Sequence, residues 1–160
     1  MELYLLRHGI AEDSAPGGRD ADRALTPEGR KKLRELLKVA AAAGVKPTLI
    51  LSSPYKRAQE TAAIAAKSLA YTHDIIQSQA LVPPAHAQEL WEEVRMHRSE
   101  ESLLLVSHEP LLSSAAGFLL NSTSMRMDFK KGGIFRVDLD SFQSQPSGVL
   151  KWYLTPRLVN

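Results

Sequence analysis

The sequence predicts an α/β layer fold, in which helices pack against a central sheet. Short apolar runs alternate with longer segments whose apolar residues recur at helical spacing. Two of the longer segments open on a hydroxyl residue followed by proline, which is typical of a helix start. The chain has 160 residues and is 44% hydrophobic, and no linker, repeat or low-complexity tract divides it. We therefore expect a single domain over residues 1–160.

The apolar runs are the predicted strands. Those at residues 3–6 and 103–106 are rich in branched aliphatic side chains and predict buried strands. Two later segments alternate between apolar and polar residues, which predicts antiparallel strands joined by a turn at 143–148. The full set of predicted strands is 3–6, 48–51, 75–76, 103–106, 134–139 and 149–154.

The longer segments carry helix signals. Thr26 and Pro27 open the first, whose stripe of Leu33, Leu36, Leu37 and Ala40 is helical, and Gly44 is a natural stop. Ser53 and Pro54 predict the start of a second helix with an alanine-rich stripe. A third is expected over 85–98, and a fourth from Pro110 to about Asn121. The polar stretch 9–25 is predicted to be a functional loop, because structureless segments of that length are uncommon in compact domains.

Composition excludes several classes of function. A net charge of +2 without a cluster of basic and aromatic residues argues against nucleic-acid binding. The absence of cysteine excludes disulfides, thiolate catalysis and cysteine-ligated zinc. No run approaches the ~20 apolar residues of a membrane helix, and residues 1–7 do not resemble a signal peptide. We expect a cytoplasmic protein with neither nucleic acid nor membrane as a partner.

Chemically versatile side chains follow three predicted strands. Arg7 and His8 come directly after the first, Ser52 and then Arg57 follow the second, and His108 follows the run at 103–106. Ligands of open α/β sheets bind outside the carboxyl ends of the strands, where helix N-termini also favour anions. We therefore expect two histidines and two arginines to share one rim of the sheet.

This set suits phosphoryl transfer. Two guanidinium groups can hold a phosphate through paired hydrogen bonds, and a neutral imidazole is a competent nucleophile near pH 7. A second histidine can donate a hydrogen bond to a phosphoryl oxygen. Because such a transition state needs mainly positioning and charge, we expect neither a metal nor another cofactor.

Three ordered segments resemble those of the histidine phosphatase superfamily, which has the phosphoglycerate mutase-like fold. They are Leu6-Arg7-His8-Gly9, Ser52-Ser53-Pro54 with Arg57-Ala58 and Glu60-Thr61, and Val106-Ser107-His108. The resemblance extends from residue 2 to about 120. It implies a three-layer α/β/α sandwich around a mostly parallel central sheet, without a large cap domain. It also implies that His8 is the phosphorylated nucleophile, that Arg7 and Arg57 bind phosphate, and that His108 binds phosphate and stabilises the transition state.

Within the superfamily, the small size and the segment 20–26 resemble the SixA-like branch of protein phosphohistidine phosphatases. Arg23 precedes an Ala24-Leu-Thr turn where that branch has Pro-Leu-Thr. The resemblance implies that Arg23 adds a phosphate contact and that Asp20 is the matching acid, with Asp22 as the alternative. Ser52 is a further candidate for substrate binding.

The absence of an acidic residue from one segment favours one class of substrate. Mutases and many ester phosphatases of the superfamily carry an acid in an insert after the second helix, whereas the corresponding residues 80–84 contain none. An alkoxide leaving group needs a proton from such an acid, but the P–N bond of phosphohistidine breaks far more readily. We therefore expect a phosphohistidine-bearing protein as substrate and inorganic phosphate as product. The alternatives are a small-molecule phosphomonoesterase and an inactive phosphoprotein-binding module, and Glu109 is either a proton donor or a helix-start acid.

Overall fold

A computed structural model, which describes residues 1–159, contains one six-stranded sheet. The strand order is β3-β2-β4-β1-β5-β6. The first four of these run parallel, and β5 and β6 join antiparallel at one edge, so the prediction of a mostly parallel sheet is confirmed. The bounds are β1 Glu2–Arg7, β2 Leu49–Ser52, β3 Ile76–Gln77, β4 Ser102–Ser107, β5 Ile134–Asp138 and β6 Val149–Leu154.

Four helices cover the two faces of the sheet. They are α1 Pro27–Ala42, α2 Lys56–Ser68, α3 Ala87–Met96 and α4 Leu111–Leu119. Alternate residues of β1 enter two separate cores: Leu3 and Leu5 pack with α3 and α4, whereas Tyr4 and Leu6 pack with α1 and α2. Full burial of both sets follows from covering both faces. The predicted three-layer sandwich is therefore confirmed.

Helix α1 begins and ends where its sequence signals predict. The Thr26 hydroxyl accepts a hydrogen bond from the Gly29 N–H at 2.9 Å, and Pro27 occupies the first helical position. After the last turn, Gly44 adopts a left-handed φ of +88°, which a side chain would disfavour. These caps fix where the chain leaves the loop at 9–25.

The predicted cap of α2 is wrong. The helix begins at Lys56 rather than directly after Ser53-Pro54, and its N-cap residue is Tyr55. The Ser53 hydroxyl accepts from the Tyr55 N–H at 3.2 Å and so closes a short turn before the helix. Ser53 is thereby placed at the rim of the sheet instead of within the first helical turn. Helix α3 is also shorter than the predicted 85–98 at both ends.

The loop at 9–25 folds back over the beginning of α2. Ala11 and Leu25 form an isolated antiparallel bridge, and Asp20–Asp22 form one turn of 3-10 helix. The Glu60 carboxylate accepts from the Leu25 N–H at 2.8 Å and pairs with Arg30 at 2.6 Å. In this anchored loop, Asp20 lies at the rim beside Arg57. Over residues 1–159, no helix combines the length and apolar character needed to cross a membrane.

Candidate active site

The carboxyl ends of β1 and β4 bring the two predicted histidines together. His8 and His108 have ring centroids 5.1 Å apart, and both are almost fully buried. Arg57, in the first turn of α2, places its Nε 3.4 Å from His8 Nε2. Arg7 ends β1 beside His8. The four residues that the strand-end pattern singled out therefore lie at one rim.

The imidazole of His8 is held in one tautomer. Its Nδ1 lies 2.7 Å from the carbonyl oxygen of Gly9, which can only accept, so Nδ1 carries the hydrogen. The Gly9 N–H in turn donates to Thr61 Oγ1 at 3.1 Å, and the Thr61 hydroxyl donates to the Arg57 carbonyl. This chain of hydrogen bonds leaves the lone pair of His8 on Nε2, facing the other site residues.

His8 is uncharged at neutral pH. Burial, together with the nearby positive charges of Arg57, Arg7 and Lys131, lowers its pKa to about 3 against the opposing effect of the Gly9 hydrogen bond. A protonated imidazole has no lone pair on Nε2 and cannot attack phosphorus. The environment thus keeps His8 in the form that a nucleophile requires.

One ring nitrogen of His108 contacts Ser53, and the other has no partner within residues 1–159. Its Nε2 lies 2.8 Å from Ser53 Oγ, which already accepts from the Tyr55 N–H. Since a hydroxyl has one hydrogen and two lone pairs, Ser53 can also donate to Nε2, and in that tautomer the ring hydrogen of His108 is on Nδ1. That Nδ1 is buried and has no hydrogen-bond partner within residues 1–159. Burial, followed by the proximity of His8 and Arg57, lowers the His108 pKa to about 2, so the ring is neutral.

The two guanidinium groups give the rim its positive charge. Arg7 donates from Nη1 to the Phe129 carbonyl at 2.6 Å, while its buried Nε lacks a partner among residues 1–159. Burial lowers the pKa of Arg7, as expected for a charge drawn out of water. Arg57 lies 5.2 Å from the ring centroid of Tyr55, and only 7% of its side chain is exposed. The unpaired, buried Nε of Arg7 and the two guanidinium charges favour an anion.

Asp20 contacts Arg57 directly, whereas Arg23 contacts Asp20. One carboxylate oxygen of Asp20 lies 3.1 Å from Arg57 Nη2, and its backbone carbonyl accepts from Arg57 Nη1 at 2.9 Å. The other carboxylate oxygen lies 2.8 Å from Arg23 Nη1. Hydrogen bonding from Arg23 and then Arg57 lowers the pKa of Asp20, so this acid is ionised. The alternative acid, Asp22, pairs with Arg19 at 3.7 Å instead.

Two other candidates have structural partners. The Ser52 hydroxyl donates to the Ser53 carbonyl at 2.9 Å inside the core, and it is Ser53 that contacts His108. The Glu109 carboxylate accepts from the Ser113 N–H at 2.6 Å, in the first turn of α4, as a helix-start acid does. Sequence reasoning did not assign site roles to Ser53, Tyr55 and Thr61, although all lie in or near the second motif segment.

Removing the carboxylate of Asp20 should strengthen phosphate binding. In Asp20→Asn, an anion no longer competes with a negative side chain for Arg57, so we expect the inhibition constant of inorganic phosphate to fall several-fold. Asp22→Asn is the matched control, because Asp22 pairs with Arg19 rather than Arg57. Weaker phosphate binding in Asp20→Asn would show that Asp20 organises Arg57 for the ligand rather than competing with it.

Burial of two neutral histidines should make the fold sensitive to acid. In the folded protein, the pKa values of both histidines lie below the ordinary 6.5. As the pH drops below 6.5, the histidines of the unfolded chain therefore bind protons, whereas those of the folded chain stay neutral. The free energy of unfolding should therefore decrease by about 2 kcal/mol per histidine at pH 5. Denaturant titrations should show this loss in the wild type and His73→Asn, and much less of it in His8→Asn/His108→Asn. An equal pH dependence in all three would contradict the assignment.

Comparison with known proteins relates this geometry to a family. A sequence model of the histidine phosphatase superfamily (branch 1) matches residues 3–81. An uncharacterized protein of Picosynechococcus sp. strain PCC 7002 is 35% identical over 136 residues, which cover 84% of this chain and 82% of that one. The residues 3–81 that the superfamily model matches include Arg7, His8 and Arg57.

Solved structures share the fold at low sequence identity. The structure of the protein histidine phosphatase SixA with tungstate has a TM-score of 0.90 and 23% identity, and the match covers 100% of both chains. The alpha-ribazole phosphatase from Shigella flexneri has a TM-score of 0.73 and 18% identity, covering 98% of this chain and 97% of that one. At these identities the similarity establishes the fold alone.

Proposed function

The chain belongs to the histidine phosphatase superfamily, which indicates a phosphatase, and we propose that its substrate is phosphohistidine in a protein. One observation carries the proposal. The lone pair of neutral His8 is on Nε2, where only a long 3.4 Å contact with Arg57 Nε meets it, and the Asp20 carboxylate beside Arg57 is ionised. The site thus offers a nucleophile and anion ligands, but Asp20 has no proton to give a leaving group.

In the first step, His8 Nε2 attacks phosphorus in line with the bond to the leaving nitrogen. The new P–N bond forms as the substrate P–N bond breaks, and its electron pair stays on the substrate nitrogen. A substrate ring protonated on its other nitrogen departs as neutral imidazole, so no proton from the enzyme is required. The positive charge that develops on the phosphorylated His8 ring is stabilised by the Gly9 carbonyl at Nδ1.

Three groups stabilise the transferring phosphoryl oxygens. Arg7 and Arg57 supply charge and donors, and His108, in the tautomer with its hydrogen on the unpartnered Nδ1, supplies a neutral donor. All are preorganised, since each is buried or hydrogen bonded to the surrounding fold. In the second step, water attacks phosphorus, the P–N bond to His8 breaks and inorganic phosphate leaves. His8 returns to its neutral form, ready for another cycle.

The similarity to a solved protein histidine phosphatase also supports this proposal. SixA, a protein histidine phosphatase, matches this chain over its full length. The rim is also open to solvent on the side of Asp20, whose side chain is 59% exposed. We expect a histidine on the surface of another protein to approach from this side.

The experiment compares leaving groups on the same peptide. We expect kcat/KM for a phosphohistidine peptide to exceed that for the matching phosphoserine peptide by on the order of 10²-fold or more, the usual contribution of a general acid that the ester would need. A chromogenic aryl phosphate, with its better leaving group, should fall between them. Equal values for the two peptides would overturn the proposal and identify an ester phosphatase.

A further inference from the structure

A groove beside His8 carries more positive charge than the rest of the molecule. Its volume is about 710 Å³, its floor includes Leu33 and Pro156, and its rim carries Lys32, Lys130, Lys131 and Arg157. We propose that this basic groove binds an acidic segment of the substrate protein next to its phosphohistidine. The inference rests on the proposed function and adds the chemical character of the partner.

The basic groove is continuous with the catalytic rim. Arg7 and Gly9, the neighbours of the nucleophile, both line it. The Gly132 N–H donates to the His8 carbonyl at 3.0 Å, and the Arg7 N–H donates to the Gly133 carbonyl at 3.0 Å. These bonds fix the turn that carries Lys130 and Lys131 to the backbone of His8. A chain whose phosphoryl group lies at His8 can therefore extend into the groove.

The charge of the groove is concentrated rather than typical of the surface. Five basic residues and one acidic residue, Asp128, line it. Of the chain's twenty basic and eighteen acidic residues, fifteen and seventeen lie elsewhere, so the remainder is net negative. Lys130 pairs with Asp128 at 2.7 Å and Lys32 with Glu28 at 3.2 Å, whereas Lys131 has no ion pair within residues 1–159. The surplus positive charge is available to a partner.

The arrangement favours a polypeptide over a small molecule with a second phosphate. A compact anion would be held by buried, converging donors like those of Arg7 and Arg57. Here the cations at positions 130, 131 and 157 are exposed and stand around an apolar floor. A protein segment with acidic and apolar residues can place its carboxylates at the rim and its apolar side chains on Leu33 and Pro156.

The test changes charge on both partners. A phosphohistidine peptide flanked by glutamates is compared with the same peptide flanked by glutamines, using the wild type and Lys131→Glu/Arg157→Glu. We expect the wild type to prefer the glutamate peptide about tenfold in kcat/KM at low salt, with the preference shrinking as ionic strength rises. The variant should lose or invert that preference. Lys46→Glu/Arg98→Glu, with the same charge change on exposed residues outside the groove, should keep it.

The remaining outcomes separate this inference from the function it rests on. A wild type that cleaves phosphohistidine but ignores the flanking charge, or a variant that keeps the wild-type preference, overturns the basic groove alone. A small bisphosphate that loses as much kcat/KM in the variant as the glutamate peptide does would reassign the groove to a compact anion. Failure of the proposed function appears instead as equal cleavage of the phosphohistidine and phosphoserine peptides.

Discussion

His8→Ala is expected to lower kcat by on the order of 10⁴-fold or more, because it removes the atom that accepts the phosphoryl group. The lone pair on Nε2 exists because Nδ1–H is tied to the Gly9 carbonyl at 2.7 Å and because burial keeps the ring neutral. Water would have to attack the substrate directly in the variant, without the covalent step. Steady-state turnover of a phosphohistidine peptide measures the loss.

The control for this variant is His73→Ala. His73 is exposed and contacts the ring of Tyr71 rather than any site residue, so its loss should leave kcat within about twofold of the wild type. His8→Ala should retain affinity for inorganic phosphate, since Arg7, Arg57 and His108 remain. Full turnover in His8→Ala would end the case for covalent catalysis at this position.

Arg57→Lys is expected to lower kcat/KM by about 10²–10³-fold even though the positive charge is kept. The guanidinium of Arg57 spans from His8 Nε2 at 3.4 Å to Asp20 at 3.1 Å, and a single ammonium cannot supply both directions of donation. The phosphoryl oxygens would lose a paired donor in the transition state. The comparison of kcat/KM with the affinity for phosphate shows how much of the loss belongs to the transition state.

Thermal unfolding of Arg57→Lys must accompany the kinetics, because Arg57 is buried and also anchors the loop through Asp20. Arg98→Lys, on an exposed residue that follows α3, is the matched control and should be neutral in both measurements. A folded Arg57→Lys protein with wild-type kcat/KM would show that Arg57 contributes only charge at a distance.

The sequence was enough to predict that the site residues lie together, because neighbouring parallel strands end at the same edge of a sheet. Arg7, His8 and His108 each stand within a residue or two of the last residues of β1 and β4, so predicting the strands also predicted their meeting. Arg57 follows β2 by five residues, at the beginning of a helix whose alanine stripe was readable. The strands and the helix are local signals, and their parallel pairing brings these side chains to one edge.

The side-chain hydrogen bonds of Ser52 and Ser53 could not be predicted from the sequence in this way. Ser52 and Ser53 are adjacent and chemically identical, and only the direction of the strand decides which one faces His108. A Ser-Pro pair is typical of a helix cap. Here Ser53 instead forms a turn and contacts His108, and the helix begins only at Lys56. A tertiary contact thus overrode a local propensity.

The loop and the basic groove depended on contacts between distant parts of the chain. Asp20 and Arg57 are far apart in sequence, and their pairing follows from anchoring the loop to Glu60. The groove combines Leu33 of α1, the turn at Lys131 and the segment at Arg157. Lys130 and Lys131 are adjacent in the sequence, but Leu33 and Arg157 reach the groove from distant segments.

Trapping the phosphorylated enzyme tests the central claim most directly. The protein is mixed with a phosphohistidine peptide carrying labelled phosphate, quenched in alkali within the first turnover and mapped by mass spectrometry. The account predicts label on Nε2 of His8, stable to base, labile to acid and absent from His8→Asn. Rapid single-turnover phosphate release with no label on the wild-type protein at any time, or label on His108 instead, would contradict it.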